Sequence, residues 1–72
     1  MTLYVFRYLR QWGTGFAGIA AESVTAAITI FAEHNYTSQT LLDPTDLVSE
    51  VELPESATAG IVFAEFVYEG EG

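Results

Sequence analysis

Thr14-Gly15-Phe16-Ala17-Gly18-Ile19-Ala20-Ala21 is the stretch on which the fold turns. Read as a strand over Thr14 to Ala20, it sends Phe16 and Ile19 to opposite faces and closes a hairpin with the residues before it. Read as a helix, Ala17, Ala20 and Ala21 suit a long helix starting near Gly15. The residues upstream favour the hairpin. Leu3-Tyr4-Val5-Phe6-Arg7-Tyr8-Leu9 is dense in aromatic and β-branched side chains, which fit a pleated surface. Gln11-Trp12-Gly13 then reads as a turn, with glycine supplying the backbone freedom a tight hairpin needs.

Downstream, Ser23 is a good helix N-cap, because its hydroxyl can accept an orphan backbone N–H. Val24, Ala27, Ile28 and Phe31 follow at i, i+3, i+4 and i+7, an apolar stripe with Thr25, Thr29 and Glu33 on the other side. Asn35 suits a left-handed helix end. Residues 37–45 are polar and contain the turn-initiating pair Asp43-Pro44. Leu47, Ser49, Val51 and Leu53 alternate with Val48, Glu50 and Glu52, predicting a third strand with one wet face. Pro54–Gly60 reads as a loop, Ile61–Tyr68 as a fourth strand and residues 69–72 as a frayed acidic tail. The expectation is one α+β domain over residues 1–72, a ββαββ antiparallel sheet with one helix packed on one face.

One helix covers one face only. With Tyr4, Phe6 and Tyr8 toward the helix, Leu3, Val5, Arg7 and Leu9 point away. With Val62, Ala64, Phe66 and Tyr68 inward, Ile61, Phe63, Glu65, Val67 and Glu69 point outward. The second face would then mix large apolar residues with carboxylates, the pattern of an interface and a basis for homodimerisation. A slip of one residue in register would reverse every assignment.

The charge map is strongly uneven. Arg7, Arg10, Glu22 and Glu33 sum to zero in residues 1–42. The formal net charge of -8 therefore lies wholly on Asp43, Asp46, Glu50, Glu52, Glu55, Glu65, Glu69 and Glu71, with no base among them. Such asymmetry creates a directed field that attracts cationic partners. It equally keeps a small domain dispersed, because half of the residues (50%) are hydrophobic. Two basic residues leave no basic patch for binding nucleic acid directly. The absence of cysteine removes disulfides, thiolate metal sites and a cysteine nucleophile together.

Motifs that could carry chemistry are weak. Gly13-Thr14-Gly15-Phe16-Ala17-Gly18 fits G-x-G-x-x-G, but 72 residues cannot build the repeated βαβ units of a dinucleotide fold. Hairpin glycines account for the pattern more simply. Glu50 and Glu52 lie about 7 Å apart along one strand face, yet a chain this small builds no glycosidase cleft. Asp43-Pro44-Thr45-Asp46 lacks the spacing of a calcium loop. His34 has no nucleophile or orienting partner in the sequence, and Ser23, Ser38, Ser49 and Ser56 carry no nucleophile-elbow signature. Trp12 reads either as a binding hot spot or as a lid on a small core. No enzyme, cofactor or metal site is expected.

Phe16–Ala32 carries a single charge, Glu22, but is shorter than the roughly 20 apolar residues of a membrane span and contains Ser23, Thr25 and Thr29. A soluble cytoplasmic protein is expected. In size and composition alone, this acidic, cysteine-free chain resembles the small inhibitors of phages and mobile elements, including DNA mimics and anti-CRISPR proteins. That resemblance implies a non-enzymatic binder that occupies the nucleic-acid-binding surface of a basic partner. It transfers no site residue. Asp43, Asp46, Glu50, Glu52, Glu55, Glu65 and Glu69 are the candidate contact residues from charge placement alone. The alternative is a self-associating module that buries the apolar sheet face.

Overall fold

Strand β1, Thr2–Arg10, pairs antiparallel with β2, Gly13–Ala21, in a register that sets Tyr4 opposite Ile19, Phe6 opposite Ala17 and Tyr8 opposite Gly15. The computed structural model of the chain describes residues 1–10, 13–34 and 42–68, and for Tyr68 the backbone alone. Helix α1, Val24–Ala32, follows β2. A 3-10 turn at Pro44–Asp46 leads into β3, Leu47–Glu52, and β4 spans Gly60–Tyr68. The sheet order is β3-β1-β2-β4, antiparallel throughout, so β3 and β4 form opposite edges. This is the expected α+β fold with one helix against a four-stranded sheet. The expected turn residues Gln11 and Trp12, the helix end at Asn35, residues 36–41 and the tail at 69–72 lie outside the described residues.

The alanine-rich stretch is a strand because it sits in the middle of the sheet. β2 hydrogen-bonds to β1 on one side and β4 on the other. Its small residues also make room for rings from its neighbours. The Tyr8 ring occupies the space where a β-carbon on Gly15 would stand, and the Phe66 ring lies close over Gly13. Tyr8 then stacks on Phe66 at 6.2 Å between ring centroids and meets Phe31 of α1 edge-on at 5.9 Å. Such pairs add about 0.5–1.5 kcal/mol beyond burial.

Helix α1 is anchored as its periodicity predicts. The Ser23 hydroxyl accepts the Ala26 N–H at 3.1 Å from an extended N-cap backbone. Ala27 and Phe31 are fully buried, with Val24 and Ile28 packed around them. Phe6, Ile19 and Phe31 are the largest wholly buried side chains. Each contributes about 1.5–3 kcal/mol by leaving water.

Two bulges correct the expected strand faces. Ile19 pairs with Ile61 and Gly18 with Phe63, leaving Val62 as an extra residue in β4. An extra residue reverses the alternation on one side of it. Ile61 therefore packs against the core while Val62 is 60% exposed, the reverse of the expected assignment. In β3 the register shifts between Val5–Ser49 and Phe6–Leu47, with Val48 as the extra residue. Leu47 thus joins the helix side with Glu50 and Glu52, while Ser49 and Val51 face away. Both faces of β3 are wet: every residue from Val48 to Glu52 is exposed.

Candidate interaction surfaces

The acidic residues divide between two surfaces. Asp43 and Asp46 form a reciprocal capping box on the 3-10 turn. The Asp43 carboxylate accepts the Thr45 N–H at 3.0 Å and the Thr45 hydroxyl at 2.8 Å, while Asp46 accepts the Asp43 N–H at 3.0 Å. The two bonds from Thr45 hold the Asp43 carboxyl below its ordinary pKa, the backbone bond contributing most. Both carboxylates therefore have a local structural task.

Glu50 and Glu52 follow on β3, opposite Tyr4 and Thr2, and so lie on the helix side of the sheet. Glu55 is exposed in the turn after the strand. Five of the seven candidate acids thus lie on β3 or in the turns on either side of it. Glu65 does not join them. It lies on β4, paired with Phe16 of β2, at the opposite edge and on the opposite face. Three strand spacings, about 14 Å, separate those edges. Glu69 lies outside the described residues.

The face turned away from α1 is the second surface. Register places Leu3, Val5, Arg7 and Leu9 of β1 there, with Phe16, Gly18 and Ala20 of β2. Phe63, Glu65 and Val67 of β4 lie there too, with Ser49 and Val51 of β3. The Phe63 ring lies over Gly18, where any β-carbon would collide with it. Leu9 (61%), Phe63 (41%) and Val67 (50%) remain open to solvent. Arg7 pairs with Phe16 and Phe16 with Glu65, so one row across this face reads cation, aromatic, anion. Charge counting found Glu65 but missed that row. Its signal was the short Arg10-to-Gly13 connection, which aligns Arg7 with Phe16 once the hairpin closes. The second cation is placed differently: Arg10 lies over the Tyr8 ring at 5.1 Å and donates to the Leu9 carbonyl at 2.7 Å.

The remaining motifs resolve into structure. Gly13, Gly15 and Gly18 of the G-x-G-x-x-G match all lie within β2 and hold rings, so packing rather than the hairpin turn explains their spacing. His34 is exposed just past α1, its backbone N–H donating to the Phe31 carbonyl at 3.1 Å. Among the described residues, no group of three or more His, Asp or Glu side chains could hold a metal ion. Phe16–Ala32 is divided between β2 and α1, and no described helix is long and apolar enough to cross a membrane. No family model, curated protein or solved structure matches the chain, so the functional reading rests on its own residues.

Proposed function

We propose that this chain is a non-enzymatic acidic binding protein of the inhibitor type, which offers its β3 edge to the nucleic-acid-binding surface of a basic partner. The observation that supports this reading is the run of Asp43, Asp46, Glu50, Glu52 and Glu55 through edge strand β3 and the turns that flank it, in a part of the chain that has no base. Glu50 and Glu52 share a side about 7 Å apart, two strand rises, comparable with two steps of about 3.4 Å along one DNA strand. A surface so charged competes for the cationic groups that would otherwise neutralise phosphates. The same carboxylates also guard an exposed edge strand against pairing with other chains.

The test removes charge without touching the capping box. Glu50→Gln, Glu52→Gln and Glu55→Gln together keep shape and spare Asp43 and Asp46. A partner captured on the immobilised protein at low salt should release its DNA or RNA when the chain is added. Capture should weaken as salt shortens the screening length from about 10 Å at 0.1 M toward 3 Å at 1 M. Undiminished capture and release by the triple variant rejects the acidic edge as the working surface.

A second reading is favoured by the open apolar face. On it, the chain is a self-associating module, and Leu9, Phe63 and Val67 are exposed because another polypeptide covers them.

A further inference from the structure

We infer that two copies of this chain pack face to face through the sheet surface opposite α1, about a two-fold axis running along β2 past Phe16. This rests on the second reading above and commits it to one occupant and one orientation.

Charge selects both this face and the orientation. The described part of this face carries two charged residues, Arg7 on β1 and Glu65 on β4, each one strand from Phe16. The other candidate acids with described positions lie on β3 or in the turns that flank it, with Glu50 and Glu52 on the helix side, so the net charge of -8 does not accumulate at this interface. A two-fold axis along β2 exchanges the two sides of the strand. It places Arg7 of each copy over Glu65 of the other and Phe16 over Phe16, a self-complementary arrangement. An in-plane axis at right angles to the strands keeps each side in place. That packing sets Arg7 over Arg7 and Glu65 over Glu65, which like-charge repulsion disfavours. The row therefore selects parallel strands in the two copies, crossing at the angle of about 30° that sheet twist imposes.

The sheet edges resist self-association where the face does not. Both edges carry a bulge, at Val48 in β3 and Val62 in β4, and β3 adds Glu50 and Glu52. Bulges and charges on edge strands oppose edge-to-edge growth of the sheet. The face has no such guard. Three strands of nine residues and one of six, at about 3.4 Å per residue and about 4.8 Å between strands, make a face of roughly 540 Å². Two copies would bury about 1,100 Å², just above the ~1,000 Å² expected of a specific interface.

Sedimentation of the full chain over a range of concentrations tests the inference. The expected result is a reversible monomer–dimer equilibrium. Arg7→Glu and Glu65→Arg should each weaken the dimer by about tenfold or more, because each replaces two attractions by two repulsions. Both positions are exposed, so circular dichroism should show an intact fold in either variant. An equimolar mixture of the two variants should dimerise again, since only the mixed pair restores both opposite-charge contacts. Failure of the mixture to recover, or dimers insensitive to either change, overturns the proposed orientation. A monomeric wild type that binds an apolar dye overturns self-association but leaves the face as a docking surface for another protein. A monomer that binds no dye overturns both.

Discussion

The ring of Tyr8 fills the space that a β-carbon on Gly15 would need, on the strand directly beside it. The same ring touches Phe31 of the helix and Phe66 of β4, so one glycine governs how three elements meet. Gly15→Ala should therefore cost about 1–3 kcal/mol in urea unfolding, the usual penalty for overpacking a filled core. Gly60→Ala is the instructive comparison. Nothing lies near that position, but its φ of 150° is open mainly to glycine, so its cost is one of backbone strain. Shrinking the ring by Tyr8→Leu should ease the Gly15→Ala penalty and leave that of Gly60→Ala unchanged. Equal effects on both would mean that Gly15 is retained for backbone freedom instead of space.

Ser23 supplies the only side-chain cap in the described part of α1, and no acidic residue occupies its first turn. Ser23→Ala should lower stability by about 1 kcal/mol, and Ser23→Asp should retain it, because a carboxylate accepts the same N–H and favours the helix dipole. Urea midpoints at unchanged m-value check this. An Ala variant as stable as the parent would show that packing of Phe31 alone holds the helix.

Asp43 titrates below its ordinary range because Thr45 donates two hydrogen bonds to its ionised form. A depressed folded pKa means that the turn gains stability above the pKa of an unfolded Asp and loses it as pH falls through the lower, folded value. NMR titration of the Asp43 carboxyl should thus give a midpoint below that of an Asp in an unstructured peptide. Thr45→Ala should raise the midpoint only part of the way, since the larger contribution comes from the backbone N–H that the variant retains. A midpoint equal to that of the peptide would mean the capping box does not persist in solution.

How far the fold was legible depended on how local each cause was. Helix α1 could be read directly, because its stripe from Val24 to Phe31 and its Ser23 cap both lie within ten residues of chain. Residues 14–21 could not be decided by propensity, since their alanines favour a helix while their glycines weaken helix and strand alike. What made them a strand was pairing with β1 and β4, whose rings needed their small size. The candidate surface shows the same division. Glu50 and Glu52 share a side in any strand, but that Glu65 faces away from them follows only from a shared sheet.

The amino-acid sequence by itself determined the order of the elements apart from β2, the capped amphipathic helix and the segregation of negative charge into the last thirty residues. These depend on neighbours along the chain. Tertiary structure alone decided that Ile61 is packed and Val62 exposed, that Leu47 sides with Glu50, and that Arg7, Phe16 and Glu65 form one row. The reason is parity: a strand's side chains alternate strictly, so one extra residue at Val48 or Val62 reverses the faces on one side of it. Where that residue falls is set by hydrogen bonding between strands far apart in the chain, and no pattern within a single strand records it.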